Sequence, residues 1–336
     1  MFILNKRQKY FKKIYKLKQT NKMIKENIIF NDIKIKLKIL YKLIISIFVI
    51  EYYFYLYIYI YLNNKIKICL CTIGKKENRY VQEFIEHYKK FGVDKIFLYD
   101  NNDVNDERFE DIIFDYVKNG YVKIINYRGK QKMQILAFND CYQSNFKIYK
   151  WFIFFDMDEF IYLDKYTNIK LFLNKPKFNK CQVIHLNWVM HTDNNFLRYY
   201  NKSLVERFPK KGPNLKNTID IKSIVKGNIF IDINSAHFGN SKLISCDSLG
   251  NIKTDFNNNK KKYYKNNYII HYFTKSTEEL LVKIKKGDAT YGNLKRYYLI
   301  NSYFEINQIT KEKIDYLEKE TSLNLSKFKN KILYNK

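Results

Sequence analysis

Asp156, Asp158 and Glu159 stand within four residues of one another, in a run that reads WFIFFDMDEFIYL from Trp151 to Leu163. Acids one residue apart offer hard oxygen ligands that can share a Mg²⁺ or Mn²⁺ ion and leave coordination positions open for the oxygens of a diphosphate. The apolar residues on both sides predict a buried strand whose end delivers the acids into a crevice, where ligands of open α/β sheets bind. The plainer reading is that the acids cap the strand and start a helix.

The flanking sequence supplies the elements that would position them. Ile66 to Gly74 reads as a buried strand, Glu77 to Phe91 as an amphipathic helix stopped at Gly92, and Asp94 to Asp103 as a second strand. A helix from Glu107 to Lys118, the strand YVKIINY and a helix from Gln131 to Tyr142 lead to the acidic segment. Strands alternating with helices predict an α/β domain with a mainly parallel sheet flanked by helices, and place the strand ends near Thr72, Asp100 and Asp156 on one edge.

Composition narrows the partners. With 336 residues and 46% hydrophobic content, the chain is expected to form one catalytic domain with an appendage. The net charge of +28, from 61 basic and 33 acidic side chains, admits an anionic membrane, a phosphorylated substrate or nucleic acid. The lysines are dispersed among Asn, Ile and Tyr with no nucleic-acid motif, so a solvated basic surface is expected and a nucleic-acid partner is not. Five cysteines, at 69, 71, 141, 181 and 246, show neither a CxxC pair nor zinc spacing and read as small core residues rather than a disulfide framework.

The N-terminal part is different material. Residues 1–42 are lysine-rich, and residues 43–62, broken only by Glu51, are long enough to span a bilayer. The expectation is a single-pass membrane helix with a cytoplasmic N-terminus, although the Tyr/Ile alternation from Tyr55 to Tyr61 also suits a strand. Which side of the membrane the catalytic domain occupies stays open. Residues 65–300 form the expected catalytic domain and 301–336 a helical tail, with Lys311 to Glu320 the charged helix. Phe208 to Asn217, with Pro209, Gly212 and Pro213, and the Asn/Lys/Tyr tract from Asn257 to Asn267 read as lids or linkers.

Five segments appear in a telling order: CTIGKKENRYVQEFIEHYKKFGVDKIFLYDNN, QILAFNDC from Gln134, FFDMDEF, HTDNNFLRYYNKSLVERF and IIHYFTKSTEELLVKIKKGDA. Together they resemble glycosyltransferase family 92 and its bacterial-type relatives over most of residues 65–289. The segment around Trp188, His191, Thr192, Asp193 and Asn194 departs from animal members and is closer to the bacterial type. The resemblance implies a GT-A fold, a UDP-linked or other nucleoside diphosphate sugar donor, a Mn²⁺ or Mg²⁺ cofactor, and inverting transfer to a glycan or glycolipid hydroxyl at a membrane.

Roles follow from that resemblance. Asp158 is the expected direct metal ligand, Asp156 a ligand through water or a ribose contact, and Glu159 a ligand or a first-turn helix residue. His271, ending the strand of YIIHYFTKS, is the expected third ligand, with His237 its rival and Lys275 available for a diphosphate oxygen. Ser276 and Glu279 have the spacing of a capping box that opens a helix from Glu278 to Lys286. Inverting transfer needs a base for the acceptor hydroxyl: Asp193 in the HTDNN loop is the expected one and His191 the alternative, with Trp188 a platform for a sugar face. Thr72, Glu77, Asp100, Asn101 and Gln134 are the expected nucleoside contacts, and Arg79 and Lys130 candidates for phosphate. A metal-dependent nuclease and a non-catalytic binding protein on the same scaffold are the competing readings.

Overall fold

The computed structural model describes residues 2–64, 66–213, 220–235, 237, 242–253, 266–286 and 296–334. The chain divides into two compact units, Met1–Leu62 and Asn63–Lys336. The first consists of one helix, α1 (Phe2–Asn64), so the strand reading of the Tyr/Ile alternation is set aside. Among the described residues no helix is long and apolar enough to cross a membrane, and residues 43–62, where a span was expected, fall within α1. Glu51 and the tyrosines at 52, 53, 55 and 57 interrupt the aliphatic residues, and each brings a polar group to the helix surface.

The second unit opens with β1 (Ile68–Gly74), α2 (Asn78–Lys90), β2 (Lys95–Asp100), α3 (Glu110–Lys118) and β3 (Val122–Asn126). Next come α4 (Gln134–Asn145), β4 (Trp151–Phe154), β5 (Glu159–Leu163), α5 (Ile169–Leu173), β6 (Val183–Met190), α6 (Leu204–Arg207) and β7 (Ile221–Lys226). The last elements are β8 (Ser245–Asp247), β9 (Ile252–Lys253), β10 (Asn267–His271), α7 (Thr277–Lys286), α8 (Arg296–Ile306), α9 (Lys311–Thr321) and α10 (Ser326–Tyr334). The 257–267 tract and the end of the 208–217 segment lie largely outside the described residues.

The sheet runs β3-β2-β1-β4-β7-β6-β10-β5, with β8 beside β6 and β9 beside β8. Its first half is parallel, as expected: β1 pairs in parallel with β2 and β4, and β2 with β3. Every residue of β1 is buried, the pattern of a strand covered on both faces. Ile68 and Leu70 enter one apolar cluster with Phe84 and Tyr88 of α2, while Cys69 and Cys71 enter the other with Phe138 and Tyr142 of α4.

The second half departs from the mainly parallel expectation. Only Phe155 to Asp158 separate β4 from β5, too few residues for a parallel crossover, so β5 leaves its neighbour and pairs antiparallel with β10. β7 runs antiparallel between β4 and β6, and the sheet is mixed. The geometry brings the end of β4, the end of β6, the start of β7 and the end of β10 to one edge, because β6 and β10 are parallel and both oppose β7 or β5.

Four of the five cysteines pair, contrary to their reading as free thiols. Cys71 is bonded to Cys141 and Cys181 to Cys246, with Cα separations of 6.3 and 5.7 Å, and Cys69 is left as a buried thiol. The partners lie 70 and 65 residues apart, so only the folded sheet brings them within bridging distance. At the C-terminus, α7 to α10 close a third cluster around Leu280, Ile284, Tyr303, Leu317 and Phe328. The capping box forms as expected: Ser276 N donates to Glu279 Oε2 at 3.0 Å and Glu279 N to Ser276 Oγ at 3.3 Å. Glu279 is also clasped by the buried Arg207 of α6 through bonds of 2.7 and 3.0 Å.

Removing the Cys181–Cys246 bridge by a double alanine substitution is expected to lower unfolding free energy by about 2–4 kcal/mol. A urea titration under non-reducing conditions measures it, and thiol labelling of the denatured wild type should find one free cysteine.

Candidate active site

Three carboxylates occupy the turn between β4 and β5. Asp158 is nearly buried, its backbone oxygen accepts from Tyr272 N at 2.9 Å, and its side chain meets His271 at the end of β10. Asp158 Oδ1 lies 3.4 Å from His271 Nε2, while Oδ2 lies 2.8 Å from Lys283 Nζ and 3.7 Å from Lys275 Nζ. Burial alone would push this carboxyl up, but Lys283, His271 and Lys275 outweigh it and hold it well below the usual range. Burial keeps the His271 imidazole below its ordinary value against the pull of Asp158. Burial likewise works against the Lys283 ammonium, and there Asp158 prevails and raises it.

Asp156 is held from two sides. Gln134 Nε2 donates to Oδ1 at 2.6 Å and Lys222 Nζ to Oδ2 at 2.7 Å. Glu159 is fully buried, opens β5 rather than a helix, and accepts from Asp156 N at 3.0 Å through Oε2. Lys222 Nζ stands 3.5 Å from its Oε1. Desolvation, reinforced by Asp156 and Asp158, holds the Glu159 carboxyl well above the usual range despite Lys222. Both alternatives expected of Glu159, ligand and helix residue, are therefore corrected: the side chain is enclosed under the turn and braces it.

The donor set was tested against a divalent cation. Among the described residues no group of three or more His, Cys, Asp and Glu side chains converges as a metal site. An ionised Asp158 oxygen and a neutral imidazole nitrogen do face each other at 3.4 Å, the chemistry of two hard-metal ligands that leave the remaining positions to substrate oxygens or water. The pair fits the ion, while the two oxygens of Asp156 are engaged by Gln134 and Lys222. Lys275 adopts a left-handed backbone, φ 48°, which a lysine sustains only where its surroundings enforce it. Its ammonium lies 4.6 Å over the Tyr80 ring, and burial pushes it down.

The expected nucleoside contacts divide. Gln134 belongs to the site. Thr72 is buried in β1, with no hydrogen-bond partner for its hydroxyl among the described residues. Asp100 binds Arg128 at 2.7 Å, and Asn101 donates to the carbonyls of Tyr127 and Lys130, so both brace the loop after β3. Glu77 pairs with Lys286. Arg79 stacks on Tyr199 and Lys130 on Tyr127.

Both expected bases are enclosed. Asp193 is 1% exposed; its Oδ1 accepts from Asn195 N, and its Oδ2 from Tyr303 Oη at 2.5 Å and Lys313 Nζ at 2.6 Å. That carboxylate ties its loop to α8 and α9 and has no face toward an acceptor. His191 lies against Tyr272, with Nδ1 2.7 Å from Phe208 O and Nε2 buried, and desolvation lowers it. Lys222 and Lys283 were not anticipated. A lysine inside the apolar strand IKSIVK was the available signal for the first, and Lys283, one turn beyond Glu279 on α7, gave none.

Two measurements test these assignments. A carboxyl held above its ordinary value costs nothing below pH 4.5, where the unfolded chain is also protonated, and costs progressively more as pH rises. The melting-temperature difference between Glu159→Gln and wild type should thus be near zero in acid and positive toward neutrality, by an amount equivalent to about 1 kcal/mol or more. Asp193→Ala, which strands the buried Lys313, should destabilise the fold by about 3–5 kcal/mol in a chemical denaturation experiment.

A mixed α/β sheet thus gathers carboxylates, an imidazole and ammonium groups at one edge, where open α/β sheets place their ligands. The family model described as "Glycosyltransferase family 92" matches residues 64–325, and the chain belongs to that family. It is similar to a glycosyltransferase family 92 protein of Ricinus communis, 26% identical over 107 residues, covering 30% of this chain and 18% of that protein. A family 92 protein of Oryza sativa subsp. japonica is 28% identical over 95 residues, covering 28% and 16%. The matched stretches thus span less than a fifth of the length of these curated relatives. Among solved structures, S. aureus TarS 1-349 is 11% identical with a TM-score of 0.35, covering 71% of this chain and 70% of that one. The mannosyltransferase PcManGT from Pyrobaculum calidifontis, in complex with GDP-Man and Mn²⁺, is 7% identical with a TM-score of 0.29, covering 48% and 44%. Likenesses this distant carry no weight for function.

Proposed function

We propose that this chain is a glycosyltransferase of the GT-A type that moves a sugar from a nucleoside diphosphate donor to a hydroxyl of a glycan or glycolipid, by a single inverting displacement. The observation that carries the reading is Asp158, with His271 on one oxygen and Lys283 and Lys275 on the other. The turn, the end of β10 and α7 thereby offer together both halves of what a diphosphate leaving group needs, ligands for a cation and ammonium groups for phosphate oxygens. Asp158 and His271 would hold a Mn²⁺ or Mg²⁺ ion, which when bound supplies positive charge against the departing diphosphate. Lys283 and Lys275 bind the same phosphates directly, and Lys222 with Gln134 fixes the orientation of Asp156. The disulfides Cys71–Cys141 and Cys181–Cys246 support maturation of the catalytic domain in an oxidising compartment.

The test is release of nucleoside diphosphate from a panel of nucleotide-sugars by the full chain, with Mn²⁺, Mg²⁺ or chelator. One donor is expected to be turned over in a metal-dependent way, and Asp158→Ala to abolish turnover. Lys283→Met should weaken nucleoside diphosphate binding by about 10- to 100-fold, the worth of one charge-assisted hydrogen bond, as read by calorimetry. A panel with no turnover and no thermal stabilisation by any donor overturns the reading.

A further inference from the structure

Transfer to a hydroxyl requires a group that accepts its proton, and Asp193 and His191 are both enclosed. A different histidine has the geometry. His237 Nδ1 lies 2.9 Å from the Ile221 carbonyl oxygen and 3.5 Å from Asp220 Oδ1. With its proton on Nδ1, shared between those two acceptors, the ring presents Nε2 as a lone pair. The backbone is fixed as well, His237 N donating to Ser235 Oγ at 3.1 Å. His237 and Asp220 keep 36% and 37% of their side-chain surface exposed, whereas Asp193 is buried.

The position relative to the charged turn matters equally. The His237 ring meets Trp188 edge to face, with centroids 5.1 Å apart, and His271 meets the same indole at 4.3 Å, with Lys222 Nζ 5.9 Å over its ring. Trp188 N donates to Asp220 O at 2.9 Å, and the pairing of Asn187 with Ile221 locks β6 to β7 at that level. Along one sheet edge the order is thus Asp158, His271, Trp188, His237. The Asp158–His271 pair and the His237 imidazole border one indole.

We propose that His237 is the catalytic base of the transfer and Asp220 its positioning residue, with the sugar held over Trp188 between them. This rests on the glycosyltransferase reading above. As the acceptor oxygen forms its bond to the anomeric carbon, its proton passes to His237 Nε2. The bond from that carbon to the diphosphate oxygen breaks, and its electron pair leaves with the diphosphate. The imidazolium then returns the proton to solvent. Asp220 holds the tautomer and balances the charge that forms.

Water is also an acceptor that must lose a proton, so donor hydrolysis by the full chain tests the proposal without knowledge of the natural acceptor. His237→Ala should lower kcat by about 10²- to 10⁴-fold with donor KM nearly unchanged, and added imidazole should restore part of the rate. Asp220→Asn should lower kcat by roughly tenfold at unchanged KM. His237→Gln provides the same comparison if the alanine variant does not fold. A His237 variant that binds nucleoside diphosphate normally and hydrolyses donor within about threefold of wild type overturns the proposal, as does failure of imidazole to rescue. Loss of nucleoside diphosphate binding in the folded variant also overturns it, and returns His237 to the donor side. The parent reading fails separately, through a wild type that turns over no donor, and the dyad falls with it.

Discussion

Three carboxylates within four residues, two of them buried and the third half-buried, cannot stay together unless cations are brought to them. An isolated buried charge costs several kcal/mol after relaxation, and three in one place repel each other as well. Lys222 meets Asp156 and Glu159 from β7, and Lys283 and Lys275 meet Asp158 from the segment after β10. The antiparallel half of the sheet is the structural answer to that requirement. β7 must lie next to β4 for Lys222 to sit behind the turn, and β10 must pair with β5 for His271 and α7 to face Asp158.

The same arrangement separates the acids by role. Lys222 is shared between two carboxylates and can neutralise only one, so Glu159, the more deeply desolvated, is held toward its protonated form. Asp158 has two ammonium groups and an imidazole to itself and stays ionised at much lower pH. Three acids within four residues thus become a brace, an oriented acceptor and a buried carboxylate held ionised, with the distinction made by residues far away in sequence.

That distance explains what the sequence revealed and what it hid. The acids, the parallel strands and the Ser276/Glu279 cap were legible because each is written in neighbouring residues: an apolar run, a helical period, a three-residue spacing. His271 was legible from its place at a strand end. Lys222 and Lys283 were not, since they lie 66 and 125 residues from the oxygens they bind and look like other lysines in a lysine-rich chain. The disulfides were hidden for the same reason. Asp193 misled because HTDNN is rich in turn formers and reads as an exposed loop, whereas Tyr303 and Lys313, more than a hundred residues on, fold over it.

The C-terminal helices acquire a consequence from where they dock. α7 carries Lys283 on one side and gives Leu280 and Ile284 to the cluster formed with α8, α9 and α10, while Lys313 of α9 anchors the loop of Asp193. The placement of an ammonium at Asp158 is therefore thermodynamically linked to the docking of the C-terminal tail. Sub-global opening of the last three helices would withdraw support from α7, and by reciprocity an anion bound at Lys283 would favour the closed tail. The tail is in this sense part of the site's affinity, and sequence drift in its apolar residues would tune binding without altering a single group in the crevice.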